Sequence, residues 1–371
     1  MVPDAVPLDK CARALVVKLR HHGDVLLASA VPGALRAAAP ALEVDALVYD
    51  DTAPMLEGHP ALARLHTVGR GWRKLGAGAR LAAEWDLFSA LRARRYDLIV
   101  HLSEHPRGAW LARTLGARYR VAPAYGGRSA FWRNSFSHRF ALAKNAGRHM
   151  VEWNLDALRR IGVQPAPEHR RVVFVPGAEA ERAVDAHLAA NQLAPGGFVH
   201  LHPASRWRFK CWPAARHAEL VTRLAAMGQR VVLTAAPEPS ERAQVDEILR
   251  AAGDACVDLS GRLSIRELGA LSARARLFVG VDSMPMHLAA AMGTPVVALF
   301  GPSGEREWGP WNVAHRVVSG DQPCRPCGND GCGGGKLSDC LETLEVERVW
   351  RAVRDLLAEP TARAADRAAA A

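Results

Sequence analysis

A short polar motif follows the first apolar run of the chain. Residues 20–24, Arg-His-His-Gly-Asp, come directly after the apolar run 14–19. Gly23 permits a tight turn, and Asp24 stands where a helix is predicted to begin, so the helix N-terminus would stabilise its carboxylate. A helix cap is the simpler interpretation, and the sequence alone favours it. The functional interpretation is a general base that accepts a proton from a reacting hydroxyl.

A second motif, residues 202–213 (His-Pro-Ala-Ser-Arg-Trp-Arg-Phe-Lys-Cys-Trp-Pro), places a hydroxyl and several cations between a predicted strand and a predicted helix. Lys210 and Arg206, with the Ser205 hydroxyl and local N–H groups, suit a diphosphate, because charge-assisted hydrogen bonds are strong. The glycines of a Walker-type phosphate loop are absent. The alternative is a solvated basic loop in which Trp207 and Trp212 serve packing. The position at the carboxyl end of a strand favours function.

A third motif, residues 280–287 (Gly-Val-Asp-Ser-Met-Pro-Met-His), again joins a buried strand to a helix. Ser283 is the predicted N-cap, and the free N–H groups of the first helical turn form a second anion site. Asp282 could accept hydrogen bonds from that network or from an acceptor sugar, and His287 is equally compatible with a core position. Glu238 follows the predicted strand 230–234, where a carboxylate could accept ribose hydroxyls or simply begin a helix.

Four cysteines are concentrated near the end of the chain, in a segment rich in glycine. Their spacing is C-x2-C, C-x4-C and C-x7-C, and they are Cys324, Cys327, Cys332 and Cys340. Close cysteine pairs can supply the four thiolates of a structural zinc site, which would leave no open position for catalysis. The spacing fits no standard zinc finger, and four reduced thiols in a loop are the alternative.

Short apolar runs alternate with helix-like segments throughout the chain. Strands are predicted at residues 14–19, 42–49, 96–102, 198–202, 230–234, 277–281 and 295–300, and helices at 24–38 (bent at Pro32), 107–115, 150–161, 178–191, 213–227, 240–252, 264–273, 283–292 and 346–357. Such alternation is typical of parallel sheets covered on both faces. The sequence therefore predicts an α/β protein with two Rossmann-like domains that face each other across a ligand-binding cleft, with the boundary between residues 170 and 197.

Composition limits the classes of protein that fit. The chain has 371 residues with a formal net charge of +10, and its arginines are dispersed rather than gathered in a basic block. A basic surface favours anionic partners such as nucleotides, phosphorylated glycolipids or an anionic membrane face, while the dispersed pattern argues against a nucleic-acid binder. No apolar stretch is long enough to span a bilayer, and the N-terminus lacks a signal-peptide core. We expect a cytoplasmic protein.

The three motifs in this order resemble the bacterial lipopolysaccharide heptosyltransferases of glycosyltransferase family 9. The resemblance rests on Lys-Leu-Arg-His-His-Gly-Asp near the start, Ser-Arg-Trp-x-x-Lys-x-Trp-Pro in the middle, and Val-Asp-Ser-x-Pro-Met-His-Leu-Ala-Ala-Ala leading into Gly-Thr-Pro-Val-Val-Ala-Leu-Phe-Gly-Pro. It extends from about residue 14 to the last helix. The first two motifs and the cysteine loop are most similar to the heptosyltransferase III type.

The resemblance implies a GT-B fold and an inverting transfer of heptose from ADP-heptose to a heptose of the lipopolysaccharide inner core. It implies an acceptor domain at residues 1–175, a donor domain at 176–345 that includes the cysteine loop 320–340, and a helix with a frayed tail at 346–371. By the same resemblance Asp24 is the general base, with Arg20, His22 and Gly23 on the acceptor side. The donor ligands are Ser205, Arg206, Lys210, Glu238, Asp282, Ser283, Met284 and His287, although some relatives have glycine where this chain has Met284. No cofactor is expected in catalysis, because the chain has no Asp-x-Asp triplet to hold a diphosphate-bound metal.

The sequence is also compatible with two alternatives. A related GT-B enzyme could use another nucleotide sugar or another core position. More remotely, the cysteine loop could belong to a non-catalytic, metal-binding protein on a transferase scaffold. The expected partners of the enzyme are ADP-heptose, an inner-core acceptor and the cytoplasmic face of the inner membrane, with no nucleic acid.

Overall fold

A computed structural model of the chain describes residues 4–141 and 147–359. The chain divides into two compact units, with the division between Val175 and Pro176. The tail predicted beyond residue 360 lies outside the described residues.

The first unit alternates strands and helices in the predicted manner. Its elements are β1 (Arg13–Val17), α1 (His22–Ala28), α2 (Ala30–Ala38), β2 (Glu43–Tyr49), β3 (Arg64–Val68), α3 (Ala77–Ala93), β4 (Leu98–His101), α4 (Pro106–Thr114), β5 (Tyr119–Pro123), α5 (Ala130–Ser135), β6 (His138–Phe140) and α6 (Met150–Arg160). Short 3₁₀ helices lie at Leu8–Lys10, Asp50–Met55, Arg70–Lys74 and Pro167–His169.

One six-stranded sheet forms the centre of the first unit, with the order β3-β2-β1-β4-β5-β6. Every pairing is parallel, and Leu15 of β1 lies between Asp45 of β2 and Ile99 of β4. The apolar run of β1 is continuous because both faces of the central strand are covered. The strand order reverses between β1 and β4, so the carboxyl ends of these two strands flank the place where such sheets bind ligands.

The first long helix predicted from the sequence is two helices. It begins at His22 rather than Asp24 and breaks at Ser29, three residues before Pro32. Pro32 lacks the N–H that would bond to the Ala28 carbonyl, and its ring crowds that carbonyl, so the disruption predicted at Pro32 takes the form of a break one turn before it. The buried Ser29 Oγ accepts a hydrogen bond from the N–H of Val173 at 2.8 Å, and the Ser29 carbonyl lies 3.0 Å from His59 Nε2. These tertiary contacts fix the break.

The second unit repeats the pattern. Its elements are α7 (Ala178–Ala190), β7 (Phe198–His202), α8 (Ala214–Ala226), β8 (Arg230–Leu233), α9 (Pro239–Ala252), β9 (Cys256–Asp258), α10 (Ile265–Arg274), β10 (Leu277–Val281), α11 (Met284–Ala291), β11 (Val296–Phe300), α12 (Glu305–Trp308), β12 (His315–Ser319), α13 (Asp339–Glu342) and α14 (Val346–Ala358). Short 3₁₀ helices lie at Arg208–Lys210, Gly253–Ala255 and Cys332–Gly334.

The second sheet has the order β12-β11-β10-β7-β8-β9, and all its pairings are parallel. Counted within its own unit, this is the same order as in the first sheet, with the reversal between β7 and β10. The last helix, α14, packs its apolar face on the core of this unit through Val349, Val353 and Leu356. The predicted α/β class with two parallel sheets is confirmed.

Candidate active site

The second and third sequence motifs meet at the strand-order reversal of the second sheet. β7 and β10 are neighbours, with His202 opposite Gly280 at their carboxyl ends. Each strand is followed by one of the motifs, so the sheet brings together residues that are distant in sequence. Lys210 Nζ donates to Asp282 Oδ2 at 2.7 Å, across 72 positions of the chain. A cation and a carboxylate thus lie where doubly wound sheets bind their ligands.

The lysine and its partner differ in their access to water. The side chain of Asp282 is 4% exposed, whereas that of Lys210 is 23% exposed. An ammonium group has three N–H donors, so Lys210 can contact Asp282 and an anionic ligand together. The Ser338 hydroxyl donates to the carbonyl of Phe209 at 2.7 Å, and this hydrogen bond holds the loop that carries Lys210. The buried carboxylate positions the ammonium group.

The basic loop of residues 202–213 is only partly involved in packing. Trp212 is buried, and its Nε1 donates to the Leu344 carbonyl at 2.9 Å, as the packing alternative predicted. Trp207 is exposed, with the guanidinium of Arg206 lying 5.2 Å from its ring centroid. The Ser205 Oγ accepts from the N–H of Trp207 at 3.2 Å, which leaves its hydroxyl hydrogen available to a ligand.

The third motif begins α11. Ser283 occupies the N-cap position, but its hydroxyl does not cap the helix and donates instead to the Val281 carbonyl at 3.3 Å. The first-turn N–H groups therefore lack the expected bond from this side chain. Met284 is half-buried at the first helical position. His287 is buried, with its ring centroid 6.4 Å from that of Trp308, so it occupies the core position that the sequence left open.

Glu238 and its neighbour Glu241 occupy different environments after β8. Glu238 is the exposed N-cap residue of α9 and makes no capping hydrogen bond with its side chain. Glu241 is buried one turn later, where its Oε2 accepts from the N–H of Ala236 at 3.0 Å, and burial raises the pKa of this carboxyl. Glu238 was predicted from the sequence as a ribose ligand, whereas Glu241 was not predicted. The role of Glu238 stays a prediction.

A buried polar chain also reaches the ends of β7 and β8. Thr234 Oγ1 lies 2.7 Å from His200 Nε2 and 2.9 Å from His202 Nδ1. The far side of His202 lies 3.9 Å from Glu241 Oε2. Burial lowers the pKa of His202 to about 4, so the imidazole is neutral near pH 7. The sequence could have indicated this polar chain, because His200 and His202 are two residues apart in a buried strand and therefore lie on the same face.

The first motif lies at the equivalent place in the first unit, directly after β1. Asp24 is the third residue of α1 rather than its cap, and its Oδ1 lies 3.7 Å from Arg20 Nε. His22 Nε2 lies 2.9 Å from the Asp51 carbonyl. Gly23 is the second helical residue. The helix-cap interpretation of Asp24 is therefore wrong, and its carboxylate is left at the N-terminal turn.

A buried lysine, Lys18, belongs to a hydrogen-bond network that contacts α1. Lys18 Nζ donates to the Leu102 carbonyl at 3.0 Å and to Asn154 Oδ1 at 3.1 Å. The Asn154 amide in turn donates to the Leu27 carbonyl of α1 at 3.2 Å. Burial lowers the pKa of Lys18 to about 8. This network joins β1 and the segment after β4 to the two helices α1 and α6.

None of the four cysteines of the predicted zinc site forms a disulfide bond; Cys340 is buried and the other three are exposed. Burial raises the pKa of the Cys340 thiol. Within residues 4–141 and 147–359, no three His, Cys, Asp or Glu side chains are arranged to hold a metal ion. The structural zinc stays a prediction.

In the part of the chain that the structure describes, residues 4–141 and 147–359, no helix is both long and apolar enough to cross a bilayer.

Comparison with known proteins identifies the family. Residues 84–337 match glycosyltransferase family 9 (heptosyltransferase). Lipopolysaccharide heptosyltransferase 3 of Escherichia coli is 37% identical over 79% of this chain and 85% of that protein. Lipopolysaccharide heptosyltransferase 1 of Pseudomonas aeruginosa is 31% identical over 91% of this chain and 92% of that protein.

Solved structures show the same fold. A family 9 glycosyltransferase from Veillonella parvula superposes with a TM-score of 0.81 at 21% identity, covering 96% of this chain and all of that one. E. coli heptosyltransferase WaaC, solved with ADP-2-deoxy-2-fluoro heptose, gives a TM-score of 0.70 at 22% identity over 92% and 99% of the two chains. The predicted GT-B fold is confirmed. With sequence motifs, strand order and relatives in agreement, the chain belongs to glycosyltransferase family 9, the heptosyltransferases.

Proposed function

We propose that the protein transfers heptose from ADP-heptose to a heptose of the lipopolysaccharide inner core, with inversion at the anomeric carbon. The observation that carries the proposal is the Lys210–Asp282 ion pair at the strand-order reversal of the second sheet. The relatives named heptosyltransferase and the structure solved with an ADP-heptose analogue support this donor.

The chemistry follows from the charge that builds on the leaving group. Breaking the bond to the anomeric carbon places negative charge on the diphosphate. Lys210, Arg206 and the Ser205 hydroxyl can neutralise that charge, together with the first-turn N–H groups of α11. Because Asp282 already holds the ammonium group, little reorganisation is needed when the charge develops. Removing one such donor costs on the order of 10²–10³-fold in rate.

On the acceptor side, Asp24 takes the proton of the attacking hydroxyl. Its place in the first turn of α1 puts the carboxylate at the carboxyl end of β1, where a ligand of this sheet would bind. Arg20 lies beside it and supplies a positive charge for a phosphorylated acceptor. The lipid anchor of that acceptor would hold the protein at the cytoplasmic face of the inner membrane.

The test is turnover with a panel of donors and defined truncated core acceptors, read by product mass. We expect ADP-heptose to react faster than UDP- or GDP-sugars. Asp24→Asn should abolish transfer, and Lys210→Met should lower kcat by about 10²–10³-fold. Lys336→Met, which removes an exposed lysine, is the matched control and should leave kcat unchanged. Equal rates for all the donors would refute the assignment, and normal turnover by Asp24→Asn would refute the role of the base.

A further inference from the structure

We propose that the first unit docks on an anionic phospholipid bilayer through an exposed apolar patch formed by Leu81, Trp85, Trp110 and Phe131. Of the eight large hydrophobic side chains that are exposed in the described chain, five come from one stretch of the first unit, namely these four and Leu75. Leu81, Trp85 and Trp110 line one cavity. Trp110 and Phe131 lie in ring contact, with centroids 5.2 Å apart, so the patch continues from α4 to α5.

The patch exists because α3 has more apolar residues than the first unit buries. The helix has 17 residues, of which only Leu91 is fully buried. Leu87 and Leu91 pack on the core of the unit. Leu81 and Trp85, four residues apart and thus on one face of the helix, are 71% and 65% exposed. A second apolar face on a surface helix is typical of a protein that contacts a membrane or another partner.

A cavity of about 640 Å³ opens beside the patch. Its wall combines aromatic rings with guanidinium groups, including those of Trp72, Trp85, Phe88, Arg73 and Arg80. Arg107, which also lines it, is neutralised by a bidentate ion pair with Glu84. Rings beside cations suit the boundary between lipid headgroups and acyl chains, where amphipathic side chains prefer to lie.

Charge decides which partner this patch fits. Residues 70–133 contain thirteen Arg or Lys and four Asp or Glu, although Arg70 and Arg94 form ion pairs with acids outside this stretch. Neither Arg73 nor Arg80 forms an ion pair within the part of the chain that the structure describes. An apolar patch beside two arginines that form no ion pair is complementary to an anionic bilayer.

This inference deepens the proposed function, because a lipid-anchored acceptor would be presented to the first unit from a membrane. The two can nevertheless fail separately. Vesicle binding is measured without donor or acceptor, and heptose transfer is measured on a deacylated acceptor without vesicles.

The experiment is co-sedimentation of the full-length protein with vesicles of phosphatidylcholine alone or mixed with phosphatidylglycerol. We expect binding to the mixed vesicles only, and weaker binding as salt is raised. Arg73→Gln/Arg80→Gln should bind about 25-fold more weakly, since each cation near an anionic surface contributes roughly a factor of five. Leu81→Ser/Trp85→Ser should bind more weakly by at least about tenfold.

Met227→Ser is the matched control, because Met227 is an exposed hydrophobic residue of the second unit, and it should bind as the wild type does. The Leu81→Ser/Trp85→Ser variant should keep wild-type turnover on the deacylated acceptor, which shows that it is folded. Wild-type protein that ignores the mixed vesicles, or a Leu81→Ser/Trp85→Ser variant that binds them normally, would overturn the docking proposal. Vesicle binding without any heptose transfer would instead overturn the proposed function.

Discussion

The Lys210–Asp282 ion pair makes a quantitative prediction about stability that is separate from catalysis. Lys210→Met keeps the apolar stem of the side chain and leaves the Asp282 carboxylate, 4% exposed, without its partner. Leaving one charge of a fully buried pair alone costs about 3–5 kcal/mol. Water reaches Lys210, whose side chain is 23% exposed, and can partly hydrate the carboxylate. We therefore expect Lys210→Met to lower the free energy of unfolding by about 2 kcal/mol, a smaller loss than for a fully buried pair.

Replacing the partner should cost less. Asp282→Asn removes the buried charge and keeps the shape of the side chain, while Lys210 can extend into water, so we expect a loss of less than about 1 kcal/mol. The double variant Lys210→Met/Asp282→Asn should be more stable than Lys210→Met alone, with a coupling free energy of about 1–2 kcal/mol. The assay is urea unfolding of the three variants and the wild type. Additive effects, or a Lys210→Met variant as stable as Asp282→Asn, would show that the buried carboxylate does not depend on the lysine.

Three further predictions concern other parts of the chain. Burial lowers the pKa of Lys18 from 10.5 to about 8, so between these pH values the unfolded chain holds a proton that the folded chain has lost. The contribution of Lys18 to the free energy of unfolding should therefore rise with pH across that window, by about 3 kcal/mol at most. Urea unfolding at several pH values should show this rise in the wild type and not in Lys18→Met. Gly108→Ala would place a Cβ 2.2 Å from the buried ring of His101 and should cost about 1–3 kcal/mol in thermal unfolding, whereas Gly33→Ala in α2, which meets nothing within 4 Å, should be neutral or stabilising. If the cysteine loop binds zinc, elemental analysis should find about one zinc per chain and none in Cys332→Ser, and a metal-free wild type would disprove the prediction.

The sequence predicted the elements that carry the site and missed those whose pattern is weak. β1, β4 and β10 are largely apolar, as buried parallel strands require, and β7 is apolar except for two histidines. Each of the four was predicted within two residues at either end. α3 was missed because its apolar residues occupy two faces, so the helical period is absent. β6 and β9, each of three residues, are too short to show any period.

The arrangement of the site depended on information that lies outside any local pattern. Lys210 and Asp282 meet because β7 and β10 are neighbours, which follows from strand order rather than from either motif. The burial of Glu241 in place of Glu238 depends on α9 beginning at Pro239, which turns one carboxylate inward and leaves the other in water. Such choices are made by the packing of the whole unit.

The N-terminal segment and the last helix of the first unit are in contact, which bears on folding during translation. Its N-terminal segment returns to α6, where Arg160 forms a bidentate ion pair with Asp4 and the N–H of Val6 donates to the Ile161 carbonyl at 3.0 Å. Within residues 4–141 and 147–359, its sheet takes no strand from the second unit. Once residue 175 has left the ribosome, every strand and covering helix of this unit has been synthesised. The first half can therefore fold while the second is still being translated, which keeps its β-sheet edges from pairing with those of the unfinished half.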